Sequence, residues 1–135
     1  MIAKKIKAEK IERGKYSAYL KKAQDFFDAM HQSSLSSNWN AAGLAAVHCA
    51  ISSNDALLVY FRGVRSSSDN HLDAIELLQG CQEIDGVENM VSHLRRIIGK
   101  KNLIEYEARQ FFQSEAEEII KHTERFYNRV RALLL

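Results

Sequence analysis

Apolar residues recur along this chain at spacings of three and four rather than two, which is the period of an α-helix. The pattern predicts a first helix from about residue 5 or 10 to about 32, with Tyr16, Tyr19, Leu20, Ala23, Phe26, Phe27 and Met30 on its inner stripe. Ser33-Ser34-Leu35-Ser36-Ser37 is expected to break it, because serine hydroxyls compete for backbone hydrogen bonds. A second helix should start at Asn38 or Asn40, either a good N-cap, carry Leu44, Val47, Ile51, Leu58 and Phe61, and end near Gly63. After the loop Arg65 to Asn70, Asp69 or Asn70 can cap a third helix through Leu72, Ile75 and Leu78 to about Gln79. Gly80 and Gly86 bracket the joint to a fourth, which carries Val87, Met90, Val91, Leu94, Ile97 and Ile98. Residues 100–112 read as helical again beyond Gly99. Ser114 and Glu117 then form an S-x-x-E capping box for a last helix to about Leu134, with Ala116, Ile119, Ile120, Phe126, Val130 and Leu133 inside.

Composition agrees with an all-α reading. The chain has no proline, the commonest helix breaker, and only six glycines. Its 135 residues fit one domain, 1–135, folded as an antiparallel four-to-five-helix bundle. With 46% hydrophobic and 27% charged residues the sequence excludes wholesale disorder and a disulfide scaffold. No uninterrupted apolar run is expected to span a membrane, and the charged start carries no secretory signal pattern, so a cytoplasmic location is expected. Cys49 and Cys81 stand apart, without C-x-x-C spacing, and read as buried free thiols.

Chemistry is concentrated in three places. His48, Asp55 and Arg62 fall seven apart on the second helix, on one stripe bordered by Leu44, Ile51 and Leu58. Two turns separate neighbours by about 10 Å, so their partners must come from other helices or another subunit. They are either hydrogen-bonded boundary residues that fix helix register or a polar patch lining a cleft or dimer seam. Arg65 and His71 flank the serine-rich loop. An Arg beside phosphate and a His exchanging a proton near neutral pH are the parts for cutting RNA, although roughly one Arg–His pair at such a gap arises by chance in this composition. Basic clusters lie at Lys4, Lys5, Lys7, Lys10, Arg13 and Lys15, at Arg95, Arg96, Lys100 and Lys101, and at Lys121, Arg125, Arg129 and Arg131. They are solvated helix faces or, aligned with Arg62 and Arg65, a phosphate-binding surface. The net charge of +2 permits an anionic partner without requiring one. The five histidines show no metal-ligand spacing, and neither phosphate-loop, dinucleotide nor G-x-S-x-G motifs occur, so no metal or cofactor is expected.

Residues 45–78, AAVHCAISSNDALLVYFRGVRSSSDNHLDAIELL, and 99–130, GKKNLIEYEARQFFQSEAEEIIKHTERFYNRV, together resemble the HEPN domain family. The likeness lies in the helix lengths, the small-residue second helix, the Arg-loop-His joint, and Lys101 and Tyr106 in a K-x-x-x-x-Y segment before the last helix. The resemblance implies a dimeric helical bundle. It also implies a metal-independent endoribonuclease of a toxin–antitoxin or defence module, with Arg65 and His71 matching the family's Arg, four to six residues, His signature. Active members often carry Asn, Asp or His directly after that Arg, where this chain has Ser66. On this reading Arg65 holds the scissile phosphate, His71 is general base or acid opposite the same residue of a second subunit, and Asp55 orients an Arg or His across the cleft. Other members of the family lack nuclease activity, which leaves a non-catalytic module binding nucleotide, nucleic acid or a partner protein. The partners implied are a second copy, RNA or a nucleotide, and a nucleotidyltransferase-type protein.

Overall fold

In the computed structural model, which describes residues 6–67 and 70–135, one long helix runs through the middle and the others are arranged on it. This is α2, Trp39–Arg62. It is rich in Ala, Gly, Ser and Cys, so neighbours approach it from several sides, and every residue from Ser52 to Val59 is buried. An 18-residue window of α2 reaches a mean hydropathy of 1.3, long and apolar enough for a membrane span by composition, although His48, Asn54 and Asp55 interrupt its apolar run. Packing accounts for that composition: 72% of the window is buried inside the fold, with other helices on several sides. Burial also pushes the Cys49 thiol up to about 12.

The first helix, α1 (Tyr16–Leu35), lies along α2 and seals Ala23 and Met30 against it. It outlasts the expected break. Ser33 and Ser34 complete its last turn, and the chain reverses only at Ser36–Asn38, with Ser37 left-handed at φ 58 and the Asn38 N–H donating to the Ser33 carbonyl at 2.8 Å. Asn38 is the N-cap of α2, as its position suggests.

The N-terminal stretch is not helical. A short strand, β1 (Ala8–Lys10), pairs antiparallel with β2 (Val64–Ser66), setting Glu9 opposite Arg65, and a 3-10 turn at Arg13–Lys15 leads into α1. Few apolar residues precede Tyr16, so there was no stripe for a helix to bury, and this backbone pairs with β2 instead. Lys4, Lys5 and Asp69 lie outside the described residues.

Gly63 ends α2 at φ 65, a left-handed conformation that other residues adopt only at a cost, and turns the chain into β2. Next come α3 (His71–Gln79), capped by the Asn70 side chain accepting from the Leu72 N–H at 3.0 Å, and α4 (Val87–Ile98). The short α5 (Lys101–Tyr106) stops before the expected end at 112. Residues 107–112 form an irregular, bent connection in which Phe111 drops into the core against Gly43, and the Asn40 side chain accepts from the Phe111 N–H at 2.7 Å. The last helix, α6 (Gln113–Leu134), is capped by Glu115 and not by the Ser114–Glu117 box: the Glu115 carboxylate accepts from the Phe112 N–H at 3.0 Å. Arg109 doubles that anchor, holding Glu115 at 2.8 and 2.9 Å and its carboxyl down at about 2. The architecture is an all-α bundle, with α6 and α4 closing the side of α2 that α1 leaves open.

Candidate functional site

Six elements converge on one hollow of about 650 Å³. Ile51 of α2 with Leu94 and Ile98 of α4 supply its apolar lining. Asn54 and Asp55 enter from α2, Arg65 and Ser66 from β2, His71 from the start of α3, and Lys101 and Tyr106 from α5. The strand pairing matters here: β1 fixes the backbone of β2, so Arg65 is held by a ladder rather than by a loose loop, and Glu9 of β1 reaches the rim.

Asp55 is the most constrained group. It is only 6% exposed, and burial raises its carboxyl from 3.8 to about 6 although the Arg65 charge pulls the other way. The Arg65 Nη2 donates to Asp55 Oδ2 at 3.2 Å. The guanidinium also lies over the Tyr19 ring, 5.4 Å from its centroid, and its Nε is buried without a hydrogen-bond partner among the described residues. Beside Asp55, Asn54 donates from Nδ2 to the Ala74 carbonyl at 3.3 Å, while its Oδ1 is buried with no partner among the described residues.

On the opposite wall the Lys101 Nζ holds Glu105 at 2.8 Å and sits 5.8 Å from the Tyr106 ring centroid. The hydrogen bond from Lys101 keeps the Glu105 carboxyl below its ordinary value. The cleft thus contains two cations, an imidazole, and a carboxyl that titrates near 6. Such a set can bind phosphate and exchange protons close to neutral pH.

The His48, Asp55, Arg62 stripe divides among separate partners. His48 stacks on Phe26 with centroids 5.3 Å apart, its Nε2 is 3.9 Å from Glu105, and it lies across the Arg65–Asp55 pair from the main hollow. Arg62 stands apart: it pairs with Glu83 (Nη2 to Oε1 2.8 Å) and donates to the Gly80 carbonyl at 3.2 Å, tying the end of α2 to the turn after α3. The basic clusters do not align with Arg65 either. Arg95 and Arg96 line a separate hollow with Glu88, and Arg125 and Arg129 another beside His93, so among the described residues of these clusters only Lys101 joins the cleft. Among the described residues no three His, Cys, Asp or Glu side chains are grouped to hold a metal ion. Asn54 was not legible as a site residue, since a lone Asn in a helix carries no signal. Lys101 and Tyr106 were visible as a motif, without a role.

The HEPN domain family model matches residues 16–133, nearly the whole chain. The chain belongs to the HEPN domain family. HEPN domains occur in proteins that act on RNA. No curated protein matches the chain. The matched span takes in both Arg65 and His71, while β1, with Glu9, lies before it.

Proposed function

We propose that this HEPN domain acts on RNA as a metal-independent endoribonuclease, with Arg65 and His71 as its catalytic pair. The observation that carries the reading is the shared cleft, which both residues line together with Lys101. Cleavage needs a proton acceptor, a proton donor and positive charge around phosphorus. The base takes the proton of the 2′-OH, the 2′-oxygen bonds to phosphorus, the bond to the 5′-oxygen breaks, and the acid protonates that oxygen. The products are a 2′,3′-cyclic phosphate and a 5′-hydroxyl. Arg65 binds the non-bridging oxygens, kept in aim by Asp55 at 3.2 Å. His71 serves one proton step, and the same residue of a second copy serves the other in a homodimer. Tyr106, which lines the cleft and is 75% exposed, and Leu72, 52% exposed and next in the chain to His71, are apolar surface such a copy would cover. A place in a cytoplasmic toxin–antitoxin or defence module, beside a nucleotidyltransferase-type partner, is supported by the family alone.

A second reading is a non-catalytic module that binds a nucleotide, RNA or a partner protein in the same cleft. It is favoured by the Arg65–Asp55 pair, because a carboxylate against the guanidinium competes with an incoming phosphate. End-labelled RNA incubated in excess chelator with the parent, His71→Ala and Arg65→Ala separates the two. Cyclic-phosphate ends that disappear in both variants support the nuclease, since losing a general acid or base costs roughly 10²–10⁴ in rate. Cleavage that persists in His71→Ala overturns the mechanism, and intact RNA throughout leaves the binding module.

A further inference from the structure

Arg65 does not face one hollow but two. A second hollow, of about 410 Å³, opens on the α1 side and shares Ile51, Asp55 and Arg65 with the main cleft. Both volumes lie in the range of roughly 300–1,000 Å³ that holds small ligands. The Arg65–Asp55 pair is the ridge between them.

The walls of the second hollow are of a particular kind. Tyr19 and Phe26 come from α1, His48 and Ser52 from α2. The Tyr19 ring has Arg65 at 5.4 Å and Lys22 at 5.6 Å from its centroid. Phe26 and His48 are stacked within 30° of parallel, and the His48 side chain is 40% exposed. The local charges do not cancel: Asp25 is taken up by Lys21 at 2.8 Å, while Lys22 has no ion-pair partner among the described residues and acts on Asp55 from across the hollow. Aromatic faces with an unspent lysine beside a phosphate-binding arginine suit a nucleobase and its backbone, because every base offers a π-face for stacking.

We propose that the shelf formed by Tyr19, Lys22, Phe26 and His48 is a second nucleotide subsite, so that the cleft takes single-stranded RNA of at least two nucleotides, with an internal phosphodiester at Arg65. A mononucleotide fills one side only. The inference rests on the reading of Arg65 as the phosphate-holding group, and is independent of whether the RNA is cut.

The test measures binding by the full chain in low salt, using a fluorescent 2′-O-methyl oligoadenylate hexamer, which cannot be cleaved through its 2′-oxygen, and adenosine 5′-monophosphate as competitor. Phe26→Ala should weaken the hexamer by roughly 5- to 100-fold, the loss of one stacked base, and leave the mononucleotide within twofold. Phe26→Tyr should restore hexamer binding, and the mononucleotide, still bound by Phe26→Ala, is the control for the fold, since Tyr also refills the packing around Phe26. Lys22→Gln, a change on the exposed face of α1, should lower the slope of log affinity against log salt by about 0.7, one phosphate contact on a single strand. Hexamer binding no tighter than the mononucleotide, or loss in Arg65→Ala with no effect of Phe26→Ala and Lys22→Gln, overturns the shelf and spares the cleft. Absence of binding by both ligands overturns the shelf and the cleft reading together.

Discussion

Asp55→Asn should stabilise this protein at neutral pH, in spite of removing an ion pair. The carboxyl is 6% exposed and sits at about 6, against an ordinary value of 3.8. Two opposing effects are already summed in that shift: burial disfavours the charge, Arg65 favours it, and burial wins. At 1.36 kcal/mol per pH unit the ionised form costs roughly 3 kcal/mol relative to the protonated one. The folded-state value lies above the unfolded one, so the folded chain holds more protons between about 4 and 6. The stability Asp55 contributes is therefore complete below 3.8 and is lost as pH rises through about 6. Asparagine matches the protonated acid in shape and has no charge to bury. The Arg65 side chain, 37% exposed, keeps water as a partner, so freeing it does not strand a buried cation. Glu9, His71 and Lys101 line the cleft in both proteins, as does Lys22 the shelf, and their contributions drop out of the difference. Urea melts of parent and variant at several pH values from 4 to 8 should show near-equal stability at pH 4. The variant should gain up to about 3 kcal/mol by pH 7.5, or roughly 10 °C in Tm. A variant less stable than the parent at pH 7.5, or a difference flat with pH, refutes the reasoning and means that the Arg65 pair outweighs burial.

Other outcomes follow from the packing. A Cβ added in Gly43→Ala would meet Phe111 Cε2 and Cδ2 at 2.8 and 2.9 Å and Ile104 at 3.3 Å. Because Phe111 is buried, the substitution should cost about 1–3 kcal/mol in urea melts, whereas a neutral result would mean that the 107–112 segment yields. The His93 and His122 Nδ1 atoms are 2.8 Å apart between α4 and α6, and burial first, then neighbouring charge, holds both imidazoles below their ordinary 6.5. Their depressed values cost stability as pH falls below 6.5, opposite in sign to Asp55, so the Tm of His122→Gln relative to the parent should rise between pH 7 and 5. A difference flat across that range would exclude the pair.

The helices were legible wherever an apolar stripe had to be buried. Val87, Met90, Val91, Leu94, Ile97 and Ile98 announce α4 at the helical period, and all are buried in it. Asn38, Gly63 and Asn70 mark ends that the chain uses. Periodicity was silent, or misleading, in the exposed segments. The N-terminal stretch looks helical from its Lys and Glu content, yet nothing in residues 8–10 is buried. The non-helical run at 107–112 accompanies one long-range event, Phe111 packing on Gly43, which no local window contains. The S-x-x-E box was overruled for the same kind of reason, since Arg109 and Glu115 already secure the start of α6.

The strand pair that escaped the pattern, and the short helix whose end it placed too late, are among the elements that position the site. Strand β2 carries Arg65 and is held by β1, while α5 presents Lys101 and Tyr106. Arg65 and Lys101 face the hollow from short segments that carry little of the apolar stripe by which a core helix is identified. Asp55 is the place where the two demands collide. It belongs to the most buried run of α2, where a neutral residue would be more stable, and it faces the one arginine shared by both hollows. The charge repels phosphate while it holds Arg65 in place, so an incoming phosphate must displace or protonate it. Binding of a phosphodiester at Arg65 is then expected to strengthen as pH falls through about 6, as the carboxyl neutralises and releases the guanidinium.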